Sequence, residues 1–442
     1  MPVVSEASTP QSPPLNLRQL FKLICLAALV AVMVIMVIGL LFHCLVLVAH
    51  VAGSDVDRFE DLPLWLRGAL PVIGCGLLLL LMQFLKVDGR EVGVPHTLYQ
   101  VLHGNGKMPT RNAVMQMASV IVALGTGFSG GRDGPGLHIG AWIAWLVRTR
   151  FKLTPVEVDL LLRAGMTAAI AAGFNTTFAA VFFVAAIVKT TPLSIRNIVP
   201  LVVAAAIANL GATWLGMDQI VIIRHSLTFL DAWEWLLVVG MAVPCALVGI
   251  VTVRLVSDLA KIPWPPYARI GVIATITAAF AVVMPEIMGL GQDTLNRLAQ
   301  GLLLTNILWL CAFVLFKMLL TSASVAFGIP LGVIAPTIVT GGALGALCYV
   351  VFSLLFPDLL HAHVSVYVLL GAVALLGTVC NAPLAAILMF FELTLNGFVT
   401  AQVALTILLS HQLKSRIWRP ESIFESRLNE LVNVKQAKST VG

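Results

Sequence analysis

The stretch Gly130-Gly131-Arg132-Asp133-Gly134-Pro135-Gly136-Leu137-His138-Ile139-Gly140 decides how this chain is read. Its glycines permit close backbone approach and φ/ψ pairs closed to other residues. Pro135 suits the first turn of a helix, where its missing N–H is no loss. Apolar sequence lies on both sides, so the stretch reads as a break between two helices at membrane depth. The helix after the break presents unpaired N–H groups that carry about half a positive charge from its dipole. Hydrocarbon tolerates such a break only where protein or a water-filled cavity satisfies the freed backbone groups.

Composition sets the same frame. Of 442 residues, 59% are hydrophobic and 11% charged, and the mean hydropathy is +0.98. Soluble domains carry about 25% charged residues, which excludes a water-soluble enzyme and a disordered chain. The apolar stretches are continuous, which argues against a β-barrel. Stretches free of Asp, Glu, Lys and Arg recur at 23–54, 68–85, 112–131, 164–188, 197–217, 235–253, 270–285, 298–316, 318–357, 359–391 and 393–413. A span needs about 20 apolar residues, so 318–357 and 359–391 each have room for two elements. The expected fold is an all-α polytopic membrane protein.

The run 23–54 exceeds the roughly 7–15 apolar residues of a signal peptide, so it reads as an uncleaved span. Residues 1–22 read as a disordered cytoplasmic segment. The net charge of +6 sits in connections and at the ends, which marks topology rather than nucleic-acid binding. Arg18 and Lys22 at one end, and Lys414, Arg416, Arg419, Arg427, Lys435 and Lys438 at the other, put both termini in the cytoplasm. Seven cysteines lie in apolar stretches with no CxxC pair, so they read as core residues. No cofactor motif or metal-ligand spacing stands out.

The break has a second copy. Gly131, Pro135 and Gly140 form G-x3-P-x4-G, and Gly332, Pro336 and Gly341 repeat that spacing. Downstream, Gly165-x9-Asn175-x3-Ala179-Ala180 recurs as Gly371-x9-Asn381-x3-Ala385-Ala386. Two sparse patterns in one order at nearly one offset point to related halves, about 23–217 and 228–413. Related halves with broken helices meeting at mid-membrane are a common transporter build. Gly332-Val333-Ile334-Ala335-Pro336 repeats the first break without an ionisable residue, and Glu91-Val92-Gly93-Val94-Pro95 is a third break. Three helix starts could converge on one anion, held by backbone amides without a full buried cation. Asp133 is a carboxylate within apolar sequence, a functional residue by default, and a natural competitor for that anion. The plainer alternative makes Asp133 a local partner of Arg132 or a helix cap.

These residues resemble the CLC family of chloride channels and chloride/proton antiporters. GGRDGPGLHIG (130–140) is similar to the family's GREGP signature, GVIAP (332–336) to GxFxP, and EVGVP (91–95), more weakly, to GSGIP. GFNTTFAAVFF (173–183) and CNAPLAAILMFFEL (380–393) resemble the helices that follow, and SIFESRL (422–428) the last helix. The resemblance covers 23–432 and implies a CLC-like two-half inverted repeat of about 18 tilted and broken helices, one pore per subunit, in a homodimer. The transport domain would then be 23–432, with a final helix at about 415–432 and a cytoplasmic tail at 433–442. Too little sequence follows Pro420 for a soluble regulatory domain, which suits a prokaryotic-type member in a bacterial inner membrane.

Carried over by residue, the resemblance implies an anion site at Arg132, Asp133 and Gly134, at Val333, Ile334 and Ala335, and at the inner positions Val92, Gly93 and Val94. Asp133 stands where the family has a gating glutamate. Val92 and Phe424 stand where it has an anion-coordinating serine and tyrosine, and Ile187 where antiporters have an inner proton-handling glutamate. Main-chain binding is kept while two hydroxyls and the proton relay are lost. The expected activity is passive or weakly proton-coupled transport of chloride or a related small anion, gated by Asp133. Chloride/proton exchange is the closest alternative. Glu392 reads as structural, and Lys189 and Lys317 as snorkelling ends of apolar runs. From other classes, Gly127-Phe128-Ser129-Gly130 would suit an intramembrane serine protease if Ser129 had a base such as His138. A cation-coupled transporter would need more intramembrane carboxylates than Asp133 and Glu392.

Overall fold

The structure is a computed structural model that describes residues 16–52, 57–104, 106–190, 194–217, 230–304, 306–419 and 421–441. It is nearly all helix, and among these residues seven helices are long and apolar enough to cross a membrane. The first half comprises α1 (Leu17–Ala52), α2 (Leu64–Leu85), α3 (Gly93–His103), α4 (Thr110–Gly125), α5 (Asp133–Arg148), α6 (Pro155–Phe174), α7 (Phe178–Ile187) and α8 (Ile195–Trp214). The second comprises α9 (Ala232–Gly240), α10 (Ala242–Ala260), α11 (Pro266–Val283), α12 (Gln292–Ala299), α13 (Ile307–Ala326), α14 (Ile334–Leu355), α15 (Val364–Val379), α16 (Pro383–Thr394) and α17 (Gly397–Ile417), followed by α18 (Ile423–Val441).

The sequence repeat is a repeat of packing roles. Helices α5 and α6 touch backbone to backbone at Gly140 and Gly165, where a Cβ on Gly165 would stand 2.2 Å from the Gly140 carbonyl oxygen. Helices α14 and α15 do the same at Gly341 and Gly371, where a Cβ on Gly371 would stand 2.2 Å from the Gly341 oxygen. Asn175 after α6 and Asn381 after α15 both take the left-handed backbone region, at φ 55° and 58°, which asparagine tolerates better than most residues. The halves also pack on each other, α2 against α11 and α7 against α16. The stretches 318–357 and 359–391 each hold parts of two helices, as their lengths require.

Some boundaries move. Helix α1 starts at Leu17, so the segment 1–22 is not wholly disordered; residues 1–15 lie outside the described residues. The final helix is not 415–432. Helix α17 runs through Ile417, and α18 starts at Ile423 and continues to Val441 through the expected tail. The reason is a capping box: the Ser422 N–H donates to the Glu425 carboxylate at 2.7 Å, and the Glu425 N–H to the Ser422 hydroxyl at 3.1 Å. That reciprocal pair is a helix start signal. The expected beginning of the second half, residue 228, lies outside the described residues.

Candidate functional site

The two breaks meet. The Gly131 N–H donates to the Gly332 carbonyl and the Gly332 N–H to the Gly131 carbonyl, both at 2.7 Å, an isolated antiparallel bridge. The chain therefore passes the junction in opposite directions, and α5 and α14 start side by side and leave oppositely. Only glycine allows this: a Cβ on Gly332 would stand 2.7 Å from the Gly134 nitrogen, and one on Gly134 would stand 2.9 Å from the Gly332 Cα. Pro135 and Pro336 lie in the first turns of α5 and α14. Their starting N–H groups face a buried junction, the arrangement that suits an anion.

Beneath the junction lies a cavity of about 50 Å³, walled by Val92, Gly93, Val94, Gly134, Val333 and Phe424 among others. Six of the residues expected at the anion site are thus gathered on one wall. Phe424 reaches it from α18 and meets Phe183 of α7 edge to face, ring centres 6.4 Å apart. Val92 and Phe424 give that wall no side-chain hydroxyl. The Gly93 N–H is already engaged: it donates to His138 Nδ1 at 3.0 Å. An accepting Nδ1 leaves the proton on Nε2 in the neutral ring, and Nε2 is buried without a hydrogen-bond partner. His138 also stacks on His96, ring centres 5.2 Å apart.

Arg132, Asp133, Ile334 and Ala335 do not line this cavity; they are buried at the starts of α5 and α14. The cap position of α5 is Arg132, and Asp133 is its first helical residue, so Asp133 is not a cap. The Arg132 guanidinium lies over the Phe42 ring, 5.1 Å from its centre, a cation–π contact. The Asp133 carboxyl faces Gly173, where a Cβ would come within 2.6 Å of it, and it interacts with the Ala335 amide of the other half. Its Oδ2 is buried and lacks a hydrogen-bond partner. Ile187 ends α7 as a buried aliphatic side chain; two residues on, Lys189 pairs with Glu425 at 2.8 Å.

Other residues stabilise the junction. Glu392 accepts from the N–H groups of Thr177, Phe178 and Ala179 at 3.0, 2.8 and 3.0 Å, closing the start of α7 from the other half. Lys317 does not snorkel. It is fully buried, and its ammonium donates to the carbonyls of Ile287, Met288 and Gly289 at 3.0, 3.2 and 2.9 Å. Gly289 in turn exchanges hydrogen bonds with Gly127 and Gly130, so Lys317 braces the loop under the first break. Ser129 shares a 2.8 Å hydrogen bond with the Thr321 hydroxyl and has no histidine base among the described residues, against the protease alternative.

Two charged cavity residues were missed from sequence, Arg90 and Arg427. The signal was their spacing: Arg90 precedes Val92 by one residue's gap, and Arg427 lies one helical turn after Phe424. With Arg269 they gather at the end of α13, where Arg90 and Arg269 donate to the carbonyls of Ala326 and Phe327 at 3.3 and 3.0 Å. Burial first, then the charges of Arg269 and Arg427, pushes the Arg90 guanidinium down to about 10, so it stays charged at neutral pH.

Comparison with known proteins agrees with this geometry. A family model described as voltage gated chloride channel matches residues 75–415. A ClcB-like chloride channel protein of Ralstonia nicotianae is 29% identical over 375 residues, covering 81% of this chain and 85% of its own. A CLC-type fluoride/proton antiporter has a TM-score of 0.77 at 21% identity, over 93% of this chain and 99% of its own. A slow cyanobacterial Cl⁻/H⁺ antiporter has a TM-score of 0.80 at 18% identity, over 95% of this chain and 99% of its own.

Proposed function

This chain belongs to the voltage-gated chloride channel family, and from that premise we propose that each subunit passes chloride or a related small anion between its two halves, without tight proton coupling. The chain is a multi-pass anion transporter of the membrane; the mechanism within that class is the proposal. The observation that carries it is the Gly131–Gly332 bridge. It sets two helix starts against each other at the edge of a cavity lined in part by the backbone of Gly93, Gly134 and Gly332, where an anion meets N–H dipoles. Weak holding of that kind favours release, which conduction needs.

Asp133 is the gate in this proposal. Its carboxyl stands at the start of α5 beside the Ala335 amide, so it competes with an anion for the same donors when ionised and withdraws when protonated. Ile187 offers no carboxylate for an inner proton relay, which favours passive flux. The two structural relatives are both proton antiporters, which favours exchange as the second reading. We further propose a homodimer in a bacterial inner membrane, with both termini cytoplasmic.

The test is flux from liposomes loaded with Cl⁻, NO₃⁻ or F⁻, with simultaneous H⁺ recording, on wild type and Asp133→Ala. Anion flux without uphill H⁺ movement, freed from pH control in Asp133→Ala, is the expected result. Uphill H⁺ movement driven by a chloride gradient would establish exchange instead. Flux indifferent to Asp133→Ala would remove the gate.

A further inference from the structure

We propose that Arg90 and Arg427 form a side-chain anion station at the cavity, holding a small monovalent inorganic anion such as chloride or nitrate on guanidinium N–H groups. The inference deepens the transport reading and rests on it. Both arginines line the cavity. Arg427 is 8% exposed. The buried Nε atoms of Arg90, Arg269 and Arg427 all lack a hydrogen-bond partner. A buried unpaired donor costs free energy, and two of the three guanidiniums, those of Arg90 and Arg427, border the cavity.

The charges around them do not balance. Asp88 accepts from the Arg269 guanidinium at 3.1 Å and from the Arg90 backbone N–H at 2.9 Å. Glu430 accepts from Arg427 and stands 4.0 Å from Arg90. Among the described residues, three guanidiniums thus share two carboxylates, and the surplus positive charge borders the cavity. The cavity of about 50 Å³ has room for a few waters or one small anion, not for a lipid headgroup. The arginines stand beside Val92 and Phe424, the two positions without a hydroxyl, so charged N–H donors supply what that wall otherwise lacks. Glu430 is then an internal competitor for the station.

The test is calorimetric titration of the purified full-length chain with KCl and with KNO₃ in a large-anion background, alongside the liposome flux assay. Arg427→Gln and Arg90→Gln are each expected to weaken chloride binding about tenfold, the loss of one charged hydrogen bond. Glu430→Gln is expected to tighten it several-fold, and Arg427→Lys to fall between wild type and Arg427→Gln. That opposite sign separates binding from a purely structural role. Arg90→Gln decides the matter if Arg427→Gln does not fold, because the Arg90 side chain is 24% exposed. Arginine variants that bind chloride like wild type, or a Glu430→Gln variant that weakens binding, would overturn the station. Absence of anion flux in wild type would sink the transport reading instead, a separate outcome.

Discussion

Replacing Gly332 by alanine tests the junction directly. The new Cβ would stand 2.7 Å from the Gly134 nitrogen, 3.1 Å from the Gly134 Cα and 3.1 Å from Pro135 Cδ. All three are backbone or ring atoms, so no side chain can swing aside. Overpacking of this kind costs about 1–3 kcal/mol. The strained bridge puts at risk two hydrogen bonds worth about 0.5–1.5 kcal/mol each. The expected destabilisation is about 2–6 kcal/mol, with reduced flux because the Gly134 amide must move. Gly131→Ala is milder, since its Cβ would first meet Pro336 Cδ at 3.0 Å and the Ala335 Cβ at 3.2 Å. Gly271→Ala is the control: nothing lies within 4 Å of its Cβ, and alanine gains about 0.5–1 kcal/mol inside a helix. Thermal unfolding in detergent, followed by tryptophan fluorescence, and chloride efflux from liposomes would rank the three. If Gly332→Ala unfolds and conducts like wild type, or proves milder than Gly131→Ala, the reasoning fails.

Glu392→Ala should destabilise the fold by about 2–3 kcal/mol, by leaving three N–H groups at the start of α7 without an acceptor; Glu392→Gln should recover part of that, as measured by unfolding. Lys317→Met should cost about 2–4 kcal/mol through three stranded carbonyls and should slow flux, because the loop bracing Gly127 and Gly130 loses its tie; an unfolding midpoint unchanged from wild type would show the ammonium to be dispensable.

The breaks and the repeat were legible because they depend on local chemistry. Gly131, Pro135, Gly332 and Pro336 do their work through their own backbones, so their spacing carries the geometry. The start of α18 was also present in sequence, since Ser422 and Glu425 have capping-box spacing. Lys317 could not be read. Its partners are three carbonyls in a loop that tertiary packing alone brings to it, and from sequence it resembles any lysine ending an apolar run. The diversion of the Gly93 N–H to His138 was hidden likewise, because it joins α3 to α5 across the fold. Arg90 and Arg427 were overlooked because the positions between them were read for the hydroxyls they lack.

The Glu392 carboxylate that caps α7 from α16 has a consequence for how the chain is made. Thr177, Phe178 and Ala179 wait for an acceptor encoded 213 to 215 residues downstream. During synthesis the first turn of α7 enters a medium without water to substitute, and its N–H groups stay open until α16 has been inserted. The first half is therefore not a finished unit when it leaves the ribosome. Its maturation is timed by the last quarter of the polypeptide, and a nascent chain halted before Glu392 should leave α7 open to cleavage.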